Sequence, residues 1–352
     1  MRIGIDCRKI TDFGIGVYIR GLLAGLAEIR SGDTFVLFGR GIDASVPPQL
    51  EAEIIETHAP HYSIRELYTV GAAANRAGLD VFHAPHYVLP VTRVPAVVTI
   101  HDLIHLHVRQ TPVARSYARL MLRRAARSSR AIITVSEAVK EEIDSRWPDH
   151  SPLSVIPNGV DERLRFTDPV DDARLRELGV EADHFFLFSG NDKPHKNLEC
   201  LIEAWRSVRK QVSWARLVLT GCRPERFREE EGVVMLGFVE ERDLTLLQRG
   251  ALAVVQPSLH EGFGLPVAEA MAAGTPVIAS DIPALREVGS DAPYYFDPRN
   301  PGSLGAALLA VGRSADLRET MIQAGRARAG GLRWIEAAQS TLSVYRHATS
   351  RT

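Results

Sequence analysis

The chain has 352 residues, of which 45% are hydrophobic, and a formal net charge of −1. That length suits two domains at roughly 100–200 residues each, and the balanced charge gives no case for a nucleic-acid partner. Cys7, Cys200 and Cys222 show neither metal-ligand spacing nor a disulfide framework, which fits a reducing, cytoplasmic setting. The N-terminus reads straight into a strand without a signal-peptide core, and no run approaches the ~20 apolar residues of a membrane span.

Ile3–Cys7 reads as the first strand. A loop with Asp12, Gly14 and Gly16 follows, then a helix to about Ile29 with Val17, Leu22, Leu23 and Leu26 on its apolar side. The loop holds two glycines of the G-x-G-x-x-G dinucleotide fingerprint and lacks the third. It fits a tight turn with a helix cap, and equally a place where Gly16 touches a phosphate or substrate. Thr34–Phe38 and Glu53–Thr57 read as strands. Tyr62–Arg76 reads as a helix, with Ile64, Leu67 and Val70 at helical spacing. Asp80–His83 is a strand opening into A-P-H-Y-V-L-P. Ala96–Ile100 is a buried strand, followed at once by His101 and Asp102. His101 thus stands at a strand's carboxyl end, where open α/β sheets bind ligands; the alternative is a core histidine bonded to a backbone carbonyl. Asp102 reads as a helix N-cap.

The stretch Arg109–Arg130 contains Arg109, Arg115, Arg119, Arg123, Arg124, Arg127 and Arg130, and no acid. Arg115, Arg119, Arg123 and Arg127 recur every fourth residue and form one helical stripe, while Leu120, Met121 and Leu122 supply apolar surface. A basic amphipathic helix from Arg115 to Arg130 can rest on an anionic membrane surface; it can also be a solvated face whose arginines pair with acids elsewhere. Ala131–Val135 is a strand, and Ser136 caps the next helix. Leu153–Ile156 is the last strand of this half, ended by P-N-G-V-D. The polar segment Asp161–Asp172 reads as a hinge between domains.

The pattern then restarts. His184–Gly190 is a strand, N-D-K-P-H-K-N a loop, and a helix follows with Leu198, Leu201, Ile202, Trp205 and Val208 on one face. Lys193 and Lys196 lie in that loop. Arg216–Thr220 and Val233–Val239 are strands, and Glu241–Arg249 is a helix. Ala251–Gln256 is a buried strand ended by Pro257 and Ser258. Glu261 and the turn Gly262–Phe263–Gly264 come next, then a helix with Pro266 in its first turn, where a missing N–H costs nothing. That helix carries Glu269 and stops at Gly274, before the strand Thr275–Ala279. Two acids eight residues apart and a glycine turn therefore sit on one strand-to-helix connection. Free amides at a helix start attract phosphate, carboxylates accept hydrogen bonds from sugar hydroxyls, and glycines admit a polar ligand to the main chain. The combination favours a nucleotide sugar. Tyr294–Asp297 is a further strand, followed by two or three helices. The last, Leu332–His347, has Trp334, Ala337, Ala338, Leu342 and Tyr345 at helical spacing. Strands alternating with helices imply an α/β architecture with doubly wound parallel sheets.

These motifs resemble the retaining nucleotide-sugar glycosyltransferases of the GT-B fold, sequence family 4. The resemblance covers nearly the whole chain. It is strongest in P-S-L-H-E-G-F-G-L-P-V-A-E-A-M-A-A-G-T-P-V-I-A-S, then in S-G-N-D-K-P-H-K-N-L, I-T-V-S-E and V-I-P-N-G-V-D. H-A-P-H-Y-V-L-P and H-D-L-I resemble a mannosyltransferase-like branch. The resemblance implies two Rossmann-like domains facing across a cleft: an acceptor domain over 1–162, a donor domain over 163–331, and a helix over 332–352 crossing back to the first. It gives Glu261 the hexose hydroxyls, Glu269 the ribose, and the backbone of Gly262, Phe263, Gly264 and Leu265 the hexose and phosphates. Lys196 would neutralise the diphosphate, with Lys193 as a second charge in that loop. His101 would touch the sugar's outer hydroxyl, Gly16 would approach the phosphate, and Val239 would bond the base through its backbone. One departure stands out: the family often has arginine where this chain has Asn191.

No D-x-D triad with metal-ligand placement stands near the motif, so neither metal nor cofactor is expected beyond the nucleotide-sugar co-substrate. GDP-mannose is the first donor expected and a UDP-sugar the second, with a glycan or lipid-linked saccharide as acceptor. A non-catalytic nucleotide-sugar binding protein on the same fold is a second class. A nicotinamide oxidoreductase is a third, disfavoured by the incomplete glycine fingerprint. Transfer is expected from the front face with retention, in the cytoplasm or on the inner face of the membrane.

Overall fold

In a computed structural model of the chain, residues 1–59, 63–107, 111–165, 169–222 and 224–350 are described. Two compact units result: Met1–Gly159 together with Arg333–Thr352, and Val160–Leu332. The first contains β1 (Arg2–Asp6), α1 (Gly14–Ile29), β2 (Thr34–Phe38), β3 (Ala52–Ile55), α2 (Ile64–Arg76), β4 (Val81–Ala84), β5 (Ala96–Ile100), α3 (Ile104–His107), α4 (Pro112–Ser128), β6 (Ala131–Thr134), α5 (Glu137–Arg146) and β7 (Leu153–Val155). The second contains α6 (Asp172–Glu177), β8 (Phe185–Ser189), α7 (Leu198–Val208), β9 (Arg216–Thr220), β10 (Val233–Gly237), α8 (Glu241–Gly250), β11 (Ala253–Gln256), α9 (Leu265–Ala273), β12 (Val277–Ser280), α10 (Pro283–Gly289), β13 (Tyr294–Phe296), α11 (Pro301–Arg313) and α12 (Ala315–Ala329). The last helix, α13 (Trp334–Ser350), belongs to the first unit.

Among the described residues the first sheet runs β3-β2-β1-β4-β5-β6-β7 and the second β10-β9-β8-β11-β12-β13. All their pairings are parallel. A parallel sheet is covered on both faces, so its strands read as unbroken apolar runs. In the first unit Ile3, Ile5 and Leu37 point to a core closed by α1 and α13. Val36, Phe38, Phe82 and Val98 point to the opposite core, with Val70, Leu122, Ala125 and Ile143. In the second, Phe186, Phe188, Leu217 and Leu219 pack with Leu201, Trp205, Leu304 and Leu308 of α7 and α11.

The buried side of α1 falls on Tyr18, Ile19, Leu22, Leu23 and Leu26; Val17, expected there, is only half-buried. Ile64 is 71% exposed: Ser63 caps α2 and leaves Ile64 at its first position, while Leu67 and Val70 farther along are buried. Met121 and Leu122 are core residues rather than surface, and of that trio Leu120 alone is exposed. The Glu53–Thr57 strand ends early, at Ile55, and Val233–Val239 ends at Gly237. The short helices α3, α6 and α10 have too few residues to show a periodicity. Tyr62, Arg109 and hinge residues 166–168 lie outside the described residues. Asp102 Oδ1 accepts the Ile104 N–H at the start of α3, and Ser136 Oγ accepts the Val139 N–H at the start of α5.

Helix α13 lies against α1 at two glycines. A Cβ on Gly21 would fall 2.0 Å from the Trp334 ring, and one on Gly25 would fall 2.3 Å from the Trp334 carbonyl oxygen. Farther along, the Tyr345 hydroxyl lies 2.6 Å from His83 Nδ1, and His83 Nε2 lies 2.7 Å from Thr99 Oγ1, so the ring is hydrogen-bonded at both nitrogens. Tyr18 OH reaches the same Thr99 hydroxyl at 3.1 Å. Burial pushes His83 down to about 3, with His101 and His86 adding to the effect.

Two outcomes follow. Gly25→Val should destabilise the first unit by about 1–3 kcal/mol, since the clashing atom is backbone and cannot rotate away; urea denaturation followed by Trp334 fluorescence checks it. His83 stays neutral in the folded chain but takes a proton when unfolded, so the first unit should lose stability as pH falls from the usual histidine value near 6.5 towards 3. His83→Gln should flatten that part of the stability–pH curve.

Candidate active site

β8 and β11 are neighbours in the second sheet, so the loops leaving their carboxyl ends lie side by side. Direct bonds join them: Leu259 N donates to the His195 carbonyl at 2.8 Å, and Asn197 Nδ2 to the carbonyls of Pro257 and Pro298 at 3.0 and 2.8 Å. Asn197 holds a left-handed backbone (φ 58°) that asparagine tolerates better than most residues. The preceding turn, Pro194–Lys196, carries Lys196 inward, and its Nζ donates to Glu261 Oε1 at 2.7 Å. The two side chains are 13% and 10% exposed. Gln256 Nε2, from the end of β11, donates to the same Oε1 at 2.7 Å and to Ser258 Oγ at 2.9 Å. Burial pushes the Glu261 carboxyl up, but Lys196 beside it, with hydrogen bonds from Lys196, Ser258 and Gln256, brings it below the usual carboxylate range. It is ionised at neutral pH.

Gly264 follows with φ 100°, a conformation glycine adopts at no steric cost. A Cβ there would lie 2.4 Å from Leu285 Cδ2 of α10 and would push that side chain aside. Helix α9 starts at Leu265 with Pro266 in its first turn and no side-chain cap. The Phe263 side chain is buried, so its backbone is the group it has to offer. One turn along α9, Glu269 Oε2 lies 3.4 Å from Gln248 Nε2, and Gln248 is itself anchored by Thr275 Oγ1 donating to its carbonyl at 2.7 Å. Lys193 is exposed at the start of the 194–196 turn. Val239 lies beyond the end of β10, half-buried beside Phe238, which is 79% exposed. Lys196, Glu261, Gly262, Phe263, Gly264, Leu265 and Glu269 thus share the carboxyl edge of the second sheet. Among the described residues no group of three or more His, Cys, Asp or Glu could hold a metal ion.

His101 and Gly16 belong to the first unit. His101 Nε2 lies 2.9 Å from the Pro85 carbonyl. A carbonyl only accepts, so Nε2 carries the proton and Nδ1 keeps a lone pair. Burial pushes His101 below the usual histidine range, and its ring meets Tyr18 edge-on at 4.7 Å. The Gly16 N–H donates to the Asp12 carbonyl at 3.1 Å, and a Cβ there would fall 2.5 Å from the Ile10 carbonyl oxygen. Packing therefore gives this glycine a reason of its own.

A cluster that motif reading does not single out lies at the carboxyl end of β1. Arg8 forks onto Asp6, with Nε–Oδ1 at 2.8 Å and Nη2–Oδ2 at 2.6 Å, and Nη2 also reaches Glu66 Oε1 at 2.7 Å. All three side chains are at most 3% exposed. Burial pushes the Asp6 carboxyl up, yet His86 and Arg8 bring it far below the usual range. The one trace of this in the sequence is the charged pair of D-C-R at the end of an apolar strand. Gln256 is the other residue missed, a lone amide ending an apolar run.

Comparison with known proteins matches residues 14–164 to Glycosyltransferase Family 4 and residues 171–328 to Glycosyl transferases group 1. The O-antigen chain mannosyltransferase B of Escherichia coli is 29% identical over 76% of this chain and 74% of its own length. The D-inositol 3-phosphate glycosyltransferase of Xylanimonas cellulosilytica is 30% identical over 96% of this chain and 92% of its own. The crystal structure of HepE from Anabaena in complex with UDP-glucose superposes with a TM-score of 0.77 at 20% identity, over 98% of this chain and all of that one. Two parallel Rossmann-like sheets, two family domains that divide the chain between them and a relative aligned along almost its whole length lead to one conclusion: the chain belongs to the group 1, family 4 glycosyltransferases and has the GT-B fold.

Proposed function

We propose that the chain is a retaining hexosyltransferase that moves mannose from GDP-mannose to a hydroxyl of a glycan or glycolipid acceptor in surface polysaccharide synthesis. The carrying observation is the Lys196–Glu261 pair on the joined loops of β8 and β11. An ammonium has three hydrogens, so Lys196 can hold Glu261 with one and meet a diphosphate with the others. Glu261 takes the hexose hydroxyls, and the backbone from Gly262 to Leu265 takes the hexose and phosphates at the open start of α9. Glu269 takes the ribose, Val239 the base through its backbone, and Lys193 adds charge at the loop's rim. In the first unit, His101 offers its Nδ1 lone pair to a sugar hydroxyl, and the Gly16 turn passes close to a phosphate.

The diphosphate leaves as an oxocarbenium-like sugar forms, and the acceptor hydroxyl attacks from the leaving-group side. Its proton passes to the departing phosphate oxygen. The site contributes fixed charge at the developing diphosphate, supplied by Lys196 and amides rather than a metal ion. Mannose is supported by the Escherichia coli relative's name. A UDP-linked hexose is the second donor reading, because the Xylanimonas relative is named for glycosyl transfer without specifying mannose.

The acceptor reading extends to a membrane. In α4 the side chains of Arg115, Arg119 and Arg123 are exposed alongside Val113 and Leu120, and the helix has no acid. Arg127 is paired with Asp149, and Arg124 donates to the Leu89 and Pro90 carbonyls. The exposed arginines suit the anionic cytoplasmic face of a membrane. No helix among the described residues is long and apolar enough to cross one.

A thermal-shift panel should show stabilisation by GDP-mannose over UDP-sugars and NAD, since a ligand that binds only the folded state raises its melting point. Lys196→Ala and Glu261→Gln should each lower kcat about 100-fold, the scale of removing one preorganised charge partner, with activity surviving a chelator. Glu269→Ala should weaken GDP binding about tenfold; unchanged affinity would defeat the ribose assignment. Cosedimentation with phosphatidylglycerol vesicles should be strong at low salt and fade as salt screens it, and Arg119→Glu with Arg123→Glu should abolish it. Failure to bind at low salt rules out the membrane reading.

A further inference from the structure

Gln256 is fully buried at the carboxyl end of β11, in register with Ala279 of β12. Its strand neighbours Val254 and Val255 are apolar and equally buried. Its amide oxygen has no hydrogen-bond partner. Burying an unsatisfied amide oxygen costs stability, and an apolar side chain would avoid that cost. The other half of the amide is fully used, with both Nε2 hydrogens directed to Ser258 Oγ and Glu261 Oε1. A carboxylate only accepts, so the amide can face Glu261 only through its NH2 group, which fixes its orientation.

We infer that Gln256 is a positioning residue for Glu261: with Lys196 it occupies Oε1 and turns Oε2 towards the transferred sugar. This rests on the proposed role of Glu261 in holding the hexose. Glu261 precedes Gly262 on a loop, where a carboxylate without lateral support samples several rotamers. Gln256 stands on a strand held between β8 and β12, so its amide is a rigid reference point. Lys196 is a rotatable point charge that also has to meet the diphosphate, and the Ser258 hydroxyl, which also bonds Glu261, is itself held by the Gln256 amide. The Gln256 amide takes no part in the chemistry and acts through the carboxylate it orients.

The test compares wild type with Gln256→Leu and Gln256→Glu. It follows donor hydrolysis and transfer with GDP-mannose and UDP-glucose, GDP and UDP affinity by calorimetry, and Glu261 titration by carbon-13 NMR of labelled glutamate. Gln256→Leu should keep the wild-type fold by circular dichroism, lower donor kcat/KM at least tenfold, and leave nucleoside diphosphate affinity within twofold. Its Glu261 midpoint should rise, because a buried carboxylate has lost a donor, and the acid limb of the rate profile should rise with it. Gln256→Glu supplies a donor only while protonated, so it should approach wild-type turnover at acid pH and fall away as pH rises. A Gln256→Leu enzyme with an unmoved Glu261 midpoint overturns the inference, whether or not its activity falls. A raised midpoint in a chain that turns over neither nucleotide sugar supports the positioning role and counts against the transferase reading instead.

Discussion

The ion pair between Lys196 and Glu261 is the constraint on which the second unit's site depends. It exists because β8 and β11 are adjacent although 63 residues of chain separate Ser189 from Ala253. A buried ion pair is a poor stabiliser, since two desolvated charges seldom recover in mutual attraction what they lose in hydration. Here the deficit is reduced by further donors: Gln256 shares Oε1, and Ser258 lies within the same hydrogen-bonded group. The interaction is better understood as preorganisation. Both charges are fixed in the unliganded chain, so in the proposed transfer little reorganisation would be needed as a diphosphate develops negative charge.

The first unit handles charge by the same logic at the carboxyl end of β1. Arg8 bridges Asp6 and Glu66 inside the protein, with His86 Nε2 3.4 Å from Asp6. Asp6 comes from the strand, Glu66 from α2, and His86 from the turn after β4. The guanidinium is planar and forked, which lets one cation satisfy carboxylates from two elements. The cluster fixes the loop that leads into α1. Removing either acid would leave Arg8 partly unpaired in a place water does not reach, which is the costly way to break a buried pair.

Much of this was legible in the sequence because parallel strands buried on both faces leave continuous apolar runs. Ala96–Ile100 and Thr34–Phe38 coincide with β5 and β2. The apolar stripes of α7 and α13 fall on the expected residues, all of them buried. Met121, read as surface, is core, and Ile64, at helical spacing in α2, is exposed. Spacing tells which residues share a helix face but not which face meets the core, and a helix's first turn can escape burial altogether. The strand-to-helix pattern put Lys196 and Glu261 on loops at strand carboxyl ends, and the strand order β8-β11 makes those loops neighbours. Gln256 and the Arg8 cluster did not, since a polar residue ending an apolar run looks like the strand's end, and Arg8 finds Glu66 only through tertiary folding. The Gly16 turn was read through its glycines, whereas the structure shows the Ile10 carbonyl occupying the space a Cβ would need.

Helix α13 ties the core of the first unit to its candidate site residue. Trp334 fits against α1 because Gly21 and Gly25 have no side chains, and its ring lies 6.0 Å from that of Tyr18. Tyr345, at the other end, is hydrogen-bonded to His83, His83 to Thr99, and Thr99 to Tyr18. Tyr18 in turn lies edge-on against His101. His101 is therefore held by two independent restraints: the Pro85 carbonyl fixes its tautomer, and the Tyr18 ring fixes its plane. The second restraint is anchored through four side chains to a helix more than 200 residues later in the chain. A buried polar chain of this kind is costly unless every member is satisfied, and then it favours one arrangement over its competitors. The chain's last helix thus does more than cover apolar surface, because the orientation of His101 is set partly by how that helix docks.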